Sequence, residues 1–132
     1  MVSPAKIQVR FADLDVMEHV NNAVYLSYFE MARVHYFREI LGTEWDWKAN
    51  GVLIVRNEID YIQPILLNDE PEIHVFLHKI GSKSIHLKYE VWAKGTLRTT
   101  GASIMVSFDA TKMQTTEVPL AMREALNRLE KR

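Results

Sequence analysis

The chain has 132 residues, 48% of them hydrophobic, with 16 Lys plus Arg against 17 Asp plus Glu and no cysteine. This size predicts one domain over residues 1–132, the near-neutral charge disfavours binding to nucleic acid or an anionic membrane, and the missing thiols exclude disulfides and cysteine chemistry. Because no leader peptide and no apolar run of about 18 residues occurs, we expect a soluble, cytoplasmic protein.

The first half of the chain is predicted to form a strand and a long helix. Residues 5–11 alternate apolar and polar side chains, with Ile7, Val9 and Phe11 on one face, which is the pattern of a half-buried strand. From Asn22 onward, apolar residues recur at helical spacing and cover most of the circumference: Tyr25, Leu26, Phe29, Ala32, Val34, Tyr36, Phe37, Ile40 and Leu41. We therefore expect this helix to lie buried at the centre of the fold.

The second half is predicted to form four strands and a short helix that begins at Pro119. The strands span residues 52–62, 72–80, 85–94 and 97–109. Together with the first strand and the apolar helix they favour an α+β fold in which a curved antiparallel sheet wraps around the helix. Since such a sheet leaves long edge strands, we expect a second copy of the chain to pair with one of them, giving a homodimer.

The polar loop before the helix carries the residues best suited to catalysis. Asn21 or Asn22 could cap the helix, but no Glu or Gln follows three residues later, so backbone N–H groups stay free to bind an oxyanion. Asp15 lies on a loop short enough to return its carboxylate to that helix end. There it could attack a carbonyl carbon or deprotonate a water; the alternative is a turn-forming role.

Three other residues are weaker candidates for chemistry. Asp13 is less favoured than Asp15. His19 could orient that carboxylate or accept a proton near neutral pH, or could be an ordinary hydrogen-bonding loop residue. Glu30 lies three residues before Arg33, a spacing that favours an intrahelical ion pair over a carboxylate directed into a pocket.

No metal or nucleotide site is predicted. His74 and His78 have the spacing of helical zinc ligands, but they lie in a predicted strand without the Glu of an HExxH motif. His86 is expected on the opposite face of the hairpin, so the three histidines should not form a cluster. The chain also lacks the GxSxG, GxxxxGK[ST] and GxGxxG motifs of serine hydrolases and nucleotide-binding proteins.

Residues 13–33 read DLDVMEHVNNAVYLSYFEMAR and match the pattern DxDxxxHVNNxxYLxYxExAR. This segment resembles the 4-hydroxybenzoyl-CoA thioesterase-like branch of the hotdog-fold acyl-CoA thioesterases. The resemblance covers nearly the whole chain, because the order of strands and helices also suits a single hotdog domain. It implies hydrolysis of an acyl-CoA thioester to a free acid and CoA without metal or organic cofactor, by a homodimer that could assemble further into a tetramer.

The resemblance also implies roles for individual residues. The family's catalytic aspartate falls on Asp15, the amide that polarises the thioester carbonyl falls on Asn22, and a family tyrosine matches Tyr25. In a second branch of these enzymes the acid is a glutamate on the central helix. Glu30 occupies a comparable place and is the reserve nucleophile or base.

Substrate contacts are less well defined by the sequence. CoA would bring phosphates, and Lys83 with Ser84 in the GSKS turn is expected to contact them across the dimer. The acyl group is not specified: four aromatic residues could line its pocket or belong to the core, namely Tyr28, Phe29, Trp45 and Trp47.

Two departures from the family pattern affect this interpretation. Many relatives have glycine where this chain has Glu18, so the loop could hold a different backbone conformation or place an extra negative charge near the thioester. The segment also resembles plant acyl-ACP thioesterases, whose catalytic His matches His19, but Met17 stands where they have a catalytic Asn. A hotdog module that binds acyl thioesters without cleaving them is the rival hypothesis.

Overall fold

The computed structural model describes residues 1–132, which form two α-helices and one antiparallel sheet. The helices are α1 (Val24–Leu41) and α2 (Leu120–Leu126). The strands are β1 (Ala5–Lys6), β2 (Gly51–Tyr61), β3 (Glu72–Ile80), β4 (Ser84–Ala93), β5 (Thr96–Asp109) and β6 (Gln114–Thr115). Neither helix has the length and apolar character needed to cross a membrane. The predicted α+β class, with a long helix packed on a curved antiparallel sheet, is confirmed.

The sheet order is β1-β3-β4-β5-β2, with β6 paired to the end of β5. Strand β2 follows α1 in the chain, yet it pairs with β5, the last long strand, and so lies at an edge of the sheet. Leu53 and Val55 on this edge strand are 46% and 58% exposed. An apolar edge with unpaired backbone groups is the type of surface that a second copy could cover.

Helix α1 packs one side against the sheet and leaves the other side uncovered. Tyr25, Phe29 and Ala32 on the packed side are almost fully buried, as expected. The expectation of burial around most of the helix is wrong, because Leu26 is 42% and Val34 51% exposed. A single concave sheet covers only one side of a helix, so the remaining apolar stripe has no cover within the chain.

The packing of α1 against the sheet depends on a glycine in β5. A Cβ atom at Gly101 would lie 2.6 Å from the Phe29 ring and 3.1 Å from the Glu58 carbonyl oxygen, so any other residue would force this packing to shift. Phe29 also stacks on Tyr89 of β4, with ring centroids 4.2 Å apart and planes at 8°. These contacts fix the position of α1 over the centre of the sheet.

The first strand is shorter than the alternation over residues 5–11 predicts. Strand β1 ends at Lys6, although Ile7 and Val9 remain buried and the Ile7 N–H donates to the Pro71 carbonyl at 2.9 Å. Phe11, expected on the same face, is 79% exposed. The chain leaves the extended conformation here because residues 11–13 form a 3-10 turn.

A bulge in β3 corrects the expected placement of the histidines. The register with β4 shifts between Leu77 and Lys79, so His78 and His86 line the same shallow pocket on the outer face of the sheet instead of lying on opposite faces. No group of three or more His, Asp or Glu side chains in the chain is arranged to hold a metal ion.

Candidate active site

The two aspartates of the opening motif have different environments, and Asp13 is a structural residue. The residue is 1% exposed, and its carboxylate accepts a hydrogen bond from the Tyr28 hydroxyl at 2.6 Å. The Arg10 backbone N–H and guanidinium donate to the same carboxylate at 3.0 and 2.9 Å. The Asp13 carbonyl accepts the Asn21 N–H at 2.8 Å, which ties the two ends of the loop together.

These contacts shift the pKa values of both partners in the buried pair. Burial raises the pKa of Asp13, but the hydrogen bonds from Tyr28 and Arg10, with the Arg10 charge, outweigh burial and hold the pKa below its usual range. Burial and the neighbouring Asp13 carboxylate together raise the pKa of Tyr28. The Asp13 carboxylate is therefore ionised, and it is stabilised by the neutral Tyr28 hydroxyl and the Arg10 guanidinium.

Asp15 is half-buried and has one carboxylate oxygen free. Its Oδ1 accepts the backbone N–H groups of Met17 at 2.9 Å and His19 at 3.2 Å, while Oδ2 has no hydrogen-bond partner in the chain. The Asp15 N–H also donates to the His19 carbonyl at 2.8 Å, which closes the loop. The turn that the sequence suggested thus uses Oδ1 of Asp15 and leaves Oδ2 available for chemistry.

The residue that departs from the family pattern lies at the tip of this loop. Glu18 has φ +63°, in the left-handed region that glycine adopts without steric cost. Its N–H donates to the Asp15 carbonyl at 3.0 Å, so this backbone conformation belongs to the turn that orients Asp15. The chain keeps a conformation suited to glycine while carrying a residue that is strained by it.

We expect Glu18→Gly to stabilise the protein by about 1 kcal/mol, because the relief of left-handed strain exceeds the extra flexibility that glycine gives the unfolded chain. Glu18→Ala is the matched control, since it removes the charge and keeps the strained Cβ. Urea unfolding at pH 7 measures both free energies of unfolding. If the alanine variant gained as much stability as the glycine variant, the charge and not the backbone strain would be responsible.

The start of α1 presents a backbone N–H group that the chain does not use. The helix begins at Val24 after an Ala23 N-cap that makes no side-chain capping bond. The Asn21 side chain accepts the Ala23 N–H at 2.9 Å, and the Asn21 carbonyl accepts the Val24 N–H at 2.9 Å. The Asn22 N–H has no acceptor in the chain. A free donor at the positive end of a long helix suits a carbonyl oxygen that gains negative charge.

A pocket of about 230 Å³ gathers four of the five residues selected as catalytic candidates. Asp15, His19, Asn22 and Tyr25 all line this pocket, which we call the Asp15 pocket. Tyr25 is 2% exposed, and burial raises the pKa of its hydroxyl, which therefore stays neutral at physiological pH.

The opposite wall of the Asp15 pocket comes from the end of β2 and the loop after it. It includes Tyr61, whose hydroxyl donates to the Asn22 carbonyl at 2.9 Å and whose ring meets Tyr25 edge-on at 5.0 Å. Ile62, Gln63 and Pro64 complete this wall. The sequence analysis did not identify these residues as part of a site.

Glu30 lies outside the Asp15 pocket of its own chain. It lines a separate cavity of about 530 Å³ together with Arg33 and Trp47. The expected ion pair between Glu30 and Arg33 does not form, because Arg33 instead donates from Nη1 to the Tyr89 hydroxyl at 3.0 Å. Tertiary contact with the sheet thus overrides the helical spacing rule.

Lys83 and Ser84 also lie far from the Asp15 pocket of the same chain. Ser84 pairs with Val106 on β5, whereas Tyr61 in the pocket wall pairs with Thr99. Seven residues along a strand correspond to roughly 24 Å. A contact between the GSKS turn and a substrate in this pocket would therefore require the turn of a second copy.

Comparisons with known proteins agree with this fold. A family model described as the thioesterase-like superfamily matches residues 9–126. Over 80 residues the chain is 36% identical to FadM of Escherichia coli, a long-chain acyl-CoA thioesterase, covering 60% of this chain and 61% of the relative. Over 84 residues it is 31% identical to the uncharacterized protein YsmA of Bacillus subtilis, covering 64% and 56%. The chain thus spans about six tenths of the length of these curated relatives.

Solved structures match over nearly the full length. A thioesterase from Thermus thermophilus, complexed with coenzyme A and zinc, is 36% identical, with a TM-score of 0.83 and coverage of 97% of this chain and 94% of that one. A hypothetical protein from the same species is 25% identical, with a TM-score of 0.86 and coverage of 97% and 99%. The sheet wrapped around α1 is the hotdog fold of the Thermus thioesterase, as the sequence predicted.

Proposed function

This chain belongs to the thioesterase-like superfamily, and from that premise we propose that it hydrolyses an acyl-CoA thioester to a free carboxylic acid and CoA. FadM acts on long-chain acyl-CoA, and the Thermus thioesterase was crystallised with coenzyme A, which supports CoA as the thiol carrier. The observation that carries the proposal is that Asp15, whose Oδ2 has no partner in the chain, and Asn22, whose N–H has none, line the same pocket.

In the proposed reaction the thioester carbonyl oxygen accepts the Asn22 N–H at the start of α1. The helix dipole favours the negative charge that develops on this oxygen when the carbonyl carbon becomes tetrahedral. Tyr61 fixes the other side of the same residue by donating to the Asn22 carbonyl. This hydrogen bond holds the Asn22 region in place, so little reorganisation is needed during the reaction.

Asp15 supplies the nucleophile or the base. As a base, its free Oδ2 takes a proton from water while the water oxygen bonds to the carbonyl carbon; the C–S bond then breaks, and the leaving sulfur takes this proton from Asp15, so CoA departs as the thiol and the carboxylate is ionised again. As a nucleophile, Oδ2 itself bonds to the carbonyl carbon, the thiolate leaves, and water cleaves the resulting mixed anhydride. His19 and Tyr25 line the pocket in both routes. The His19 backbone N–H also donates to Asp15 Oδ1 and so orients the carboxylate.

We propose a cytoplasmic homodimer, or a tetramer built from dimers, as the working assembly. Pairing along the exposed edge of β2 would bury Leu53 and Val55 and would bring the GSKS turn of one copy within reach of the other copy's substrate. In that arrangement Lys83 and Ser84 bind the CoA phosphates. Glu30 of one copy is then the reserve nucleophile or base for its partner.

The test is a panel of acyl-CoA and acyl-carrier-protein thioesters with aromatic, short and long acyl groups. Free thiol release measures hydrolysis, and thermal shift in the same wells measures binding. Hydrolysis of acyl-CoA above the background rate is the expected result. Thermal stabilisation by several thioesters without any thiol release would contradict the proposal and favour a module that binds acyl thioesters without cleaving them.

A further inference from the structure

Arg98, near the start of β5, is hydrogen-bonded to three consecutive residues in the wall of the Asp15 pocket. Its backbone carbonyl accepts the N–H groups of Ile62 at 2.9 Å and Gln63 at 3.0 Å. Its guanidinium Nη1 donates to the Pro64 carbonyl at 2.7 Å. Arg98 itself does not line the pocket. It therefore holds this wall from outside the pocket, through both its main chain and its side chain.

The same Nη1 atom also binds a buried carboxylate on the loop that follows the wall. It donates to Asp69 Oδ2 at 2.9 Å, and Asp69 is 5% exposed. That oxygen accepts the Leu66 N–H at 2.9 Å, while the Asp69 N–H donates to the Leu66 carbonyl at 3.1 Å, which closes a turn. The two hydrogens of one nitrogen thus connect Pro64 to this turn. The buried Nε of Arg98 has no hydrogen-bond partner, so Nη1 makes the contacts of the side chain.

The Asp69 carboxylate is ionised in this environment. Burial raises its pKa, but the Leu66 N–H and the Arg98 guanidinium, with a smaller effect from the Lys94 charge, outweigh burial and hold the pKa below its usual range. Lys94 approaches the other oxygen, Oδ1, at 3.5 Å, and its side chain is 67% exposed. Two cations therefore share one carboxylate, but only Arg98 connects that carboxylate to the pocket wall.

The wall is also joined to the loop of residues 13–22, which carries the catalytic candidates. The carbonyl of Ile65, the residue after Pro64, accepts the Val20 N–H at 2.8 Å, and Ile65 is completely buried. Val20 lies between Asp15 and Asn22 in the chain, so this hydrogen bond fixes the segment that separates the two. A displacement of about 1 Å between groups that must be aligned can lower a rate about 100-fold.

We propose that Arg98 is a positioning residue for thioester hydrolysis, which clamps the pocket wall and, through Ile65 and Val20, keeps Asp15 aligned with the Asn22 N–H. This role rests on the proposed function, since the alignment matters only if both groups act on a thioester. Every contact that supports it joins groups of one chain that are already paired with each other.

Steady-state thiol release with the most active thioester tests this role in the full chain in its native oligomeric state. Arg98→Met should lower kcat at least about tenfold and keep KM within about threefold, because the residues proposed to bind CoA are unchanged. Arg98→Lys should recover part of kcat, since one ammonium nitrogen can donate to both acceptors that Nη1 serves. A kcat of Arg98→Met within about twofold of the wild type would overturn the proposal.

Lys94→Met is the matched control for the loss of charge. It removes a cation from the same Asp69 carboxylate without removing a hydrogen bond to the pocket wall. Its kcat should therefore stay within about twofold of the wild type, as is usual for a surface substitution. An equal fall of kcat in Lys94→Met and Arg98→Met would mean that charge near Asp69, and not the clamp on the wall, supports the reaction.

A double variant separates positioning from a loss of stability. Arg98→Met leaves the buried Asp69 carboxylate with one donor fewer, which destabilises the fold. Adding Asp69→Asn removes this buried charge, so the double variant should have a higher urea midpoint than Arg98→Met, while kcat stays at least about tenfold below the wild type. Recovery of kcat together with the midpoint would mean that Arg98 acts only through stability and would overturn the proposal.

Hydrogen exchange of the Val20 amide gives a readout that does not require activity. Relative to the buried β4 residue Leu87, whose amide reports global unfolding, Val20 should exchange faster in Arg98→Met than in the wild type or Lys94→Met. Unchanged exchange would overturn the proposal even if kcat fell. If the wild type cleaved no thioester, the proposed function would fail, and the Val20 exchange would still decide whether Arg98 holds this loop.

Discussion

Replacing Asp15 with Asn is expected to lower kcat for thioester hydrolysis by about 10²–10⁴-fold while the fold is retained. The Asn Oδ1 can still accept the Met17 and His19 N–H groups, so the loop keeps its turn. The amide nitrogen then replaces the free Oδ2, and it can neither take a proton from water nor attack a carbonyl. Steady-state thiol release measures kcat, and circular dichroism with urea unfolding verifies the fold.

The chain offers a matched control for this substitution. Asp46 has the same local chemistry as Asp15, because its Oδ1 accepts the backbone N–H groups of Lys48 and Ala49, but it lies outside the Asp15 pocket. Asp46→Asn should therefore keep kcat within about twofold of the wild-type value, since surface substitutions are usually close to neutral. Near wild-type kcat in Asp15→Asn, with the fold intact, would remove this carboxylate from the mechanism.

The sequence predicts one half of the candidate site well because that half is local. Asp15, His19, Asn22 and Tyr25 follow one another within a loop and the first turn of a helix, so spacing alone brings them together. Tyr61 could not be placed in the same way. Its position against Asn22 depends on the register of β2 with β5, which joins residues about forty positions apart and which no local pattern specifies.

The errors in the sequence analysis also have physical causes. Apolar periodicity shows which residues of α1 are hydrophobic, but it does not show whether another surface of the same chain covers them. The exposure of Val34 could therefore not be anticipated. Helical spacing favours a pair between Glu30 and Arg33, yet a buried hydroxyl on β4 is the better partner for a side chain on the packed side of the helix. Local rules fail where tertiary contacts offer stronger alternatives.

Substitutions of the buried pair Asp13 and Tyr28 are expected to affect stability far more than any change at Asp15. Asp13→Asn should cost about 2–4 kcal/mol of unfolding free energy, because it replaces an ionised acceptor of three hydrogen bonds. Tyr28→Phe should cost about 2–3 kcal/mol, because it leaves a buried carboxylate with one donor fewer. Asp15→Asn, on the same loop, should stay within about 1 kcal/mol of the wild type.

The pH dependence of unfolding is expected to identify the ionised Asp13 carboxylate as the source of this stability. The pKa of Asp13 is lower in the folded chain than its ordinary value of 3.8, so its contribution is complete above about pH 5 and is lost as the pH falls through 3.8 toward the folded pKa. The difference between wild type and Asp13→Asn should therefore be largest at pH 7 and shrink steadily below pH of about 4. Urea unfolding at a series of pH values measures it. A difference that stays constant down to pH of about 2.5 would mean that the ionised form of Asp13 does not stabilise the fold.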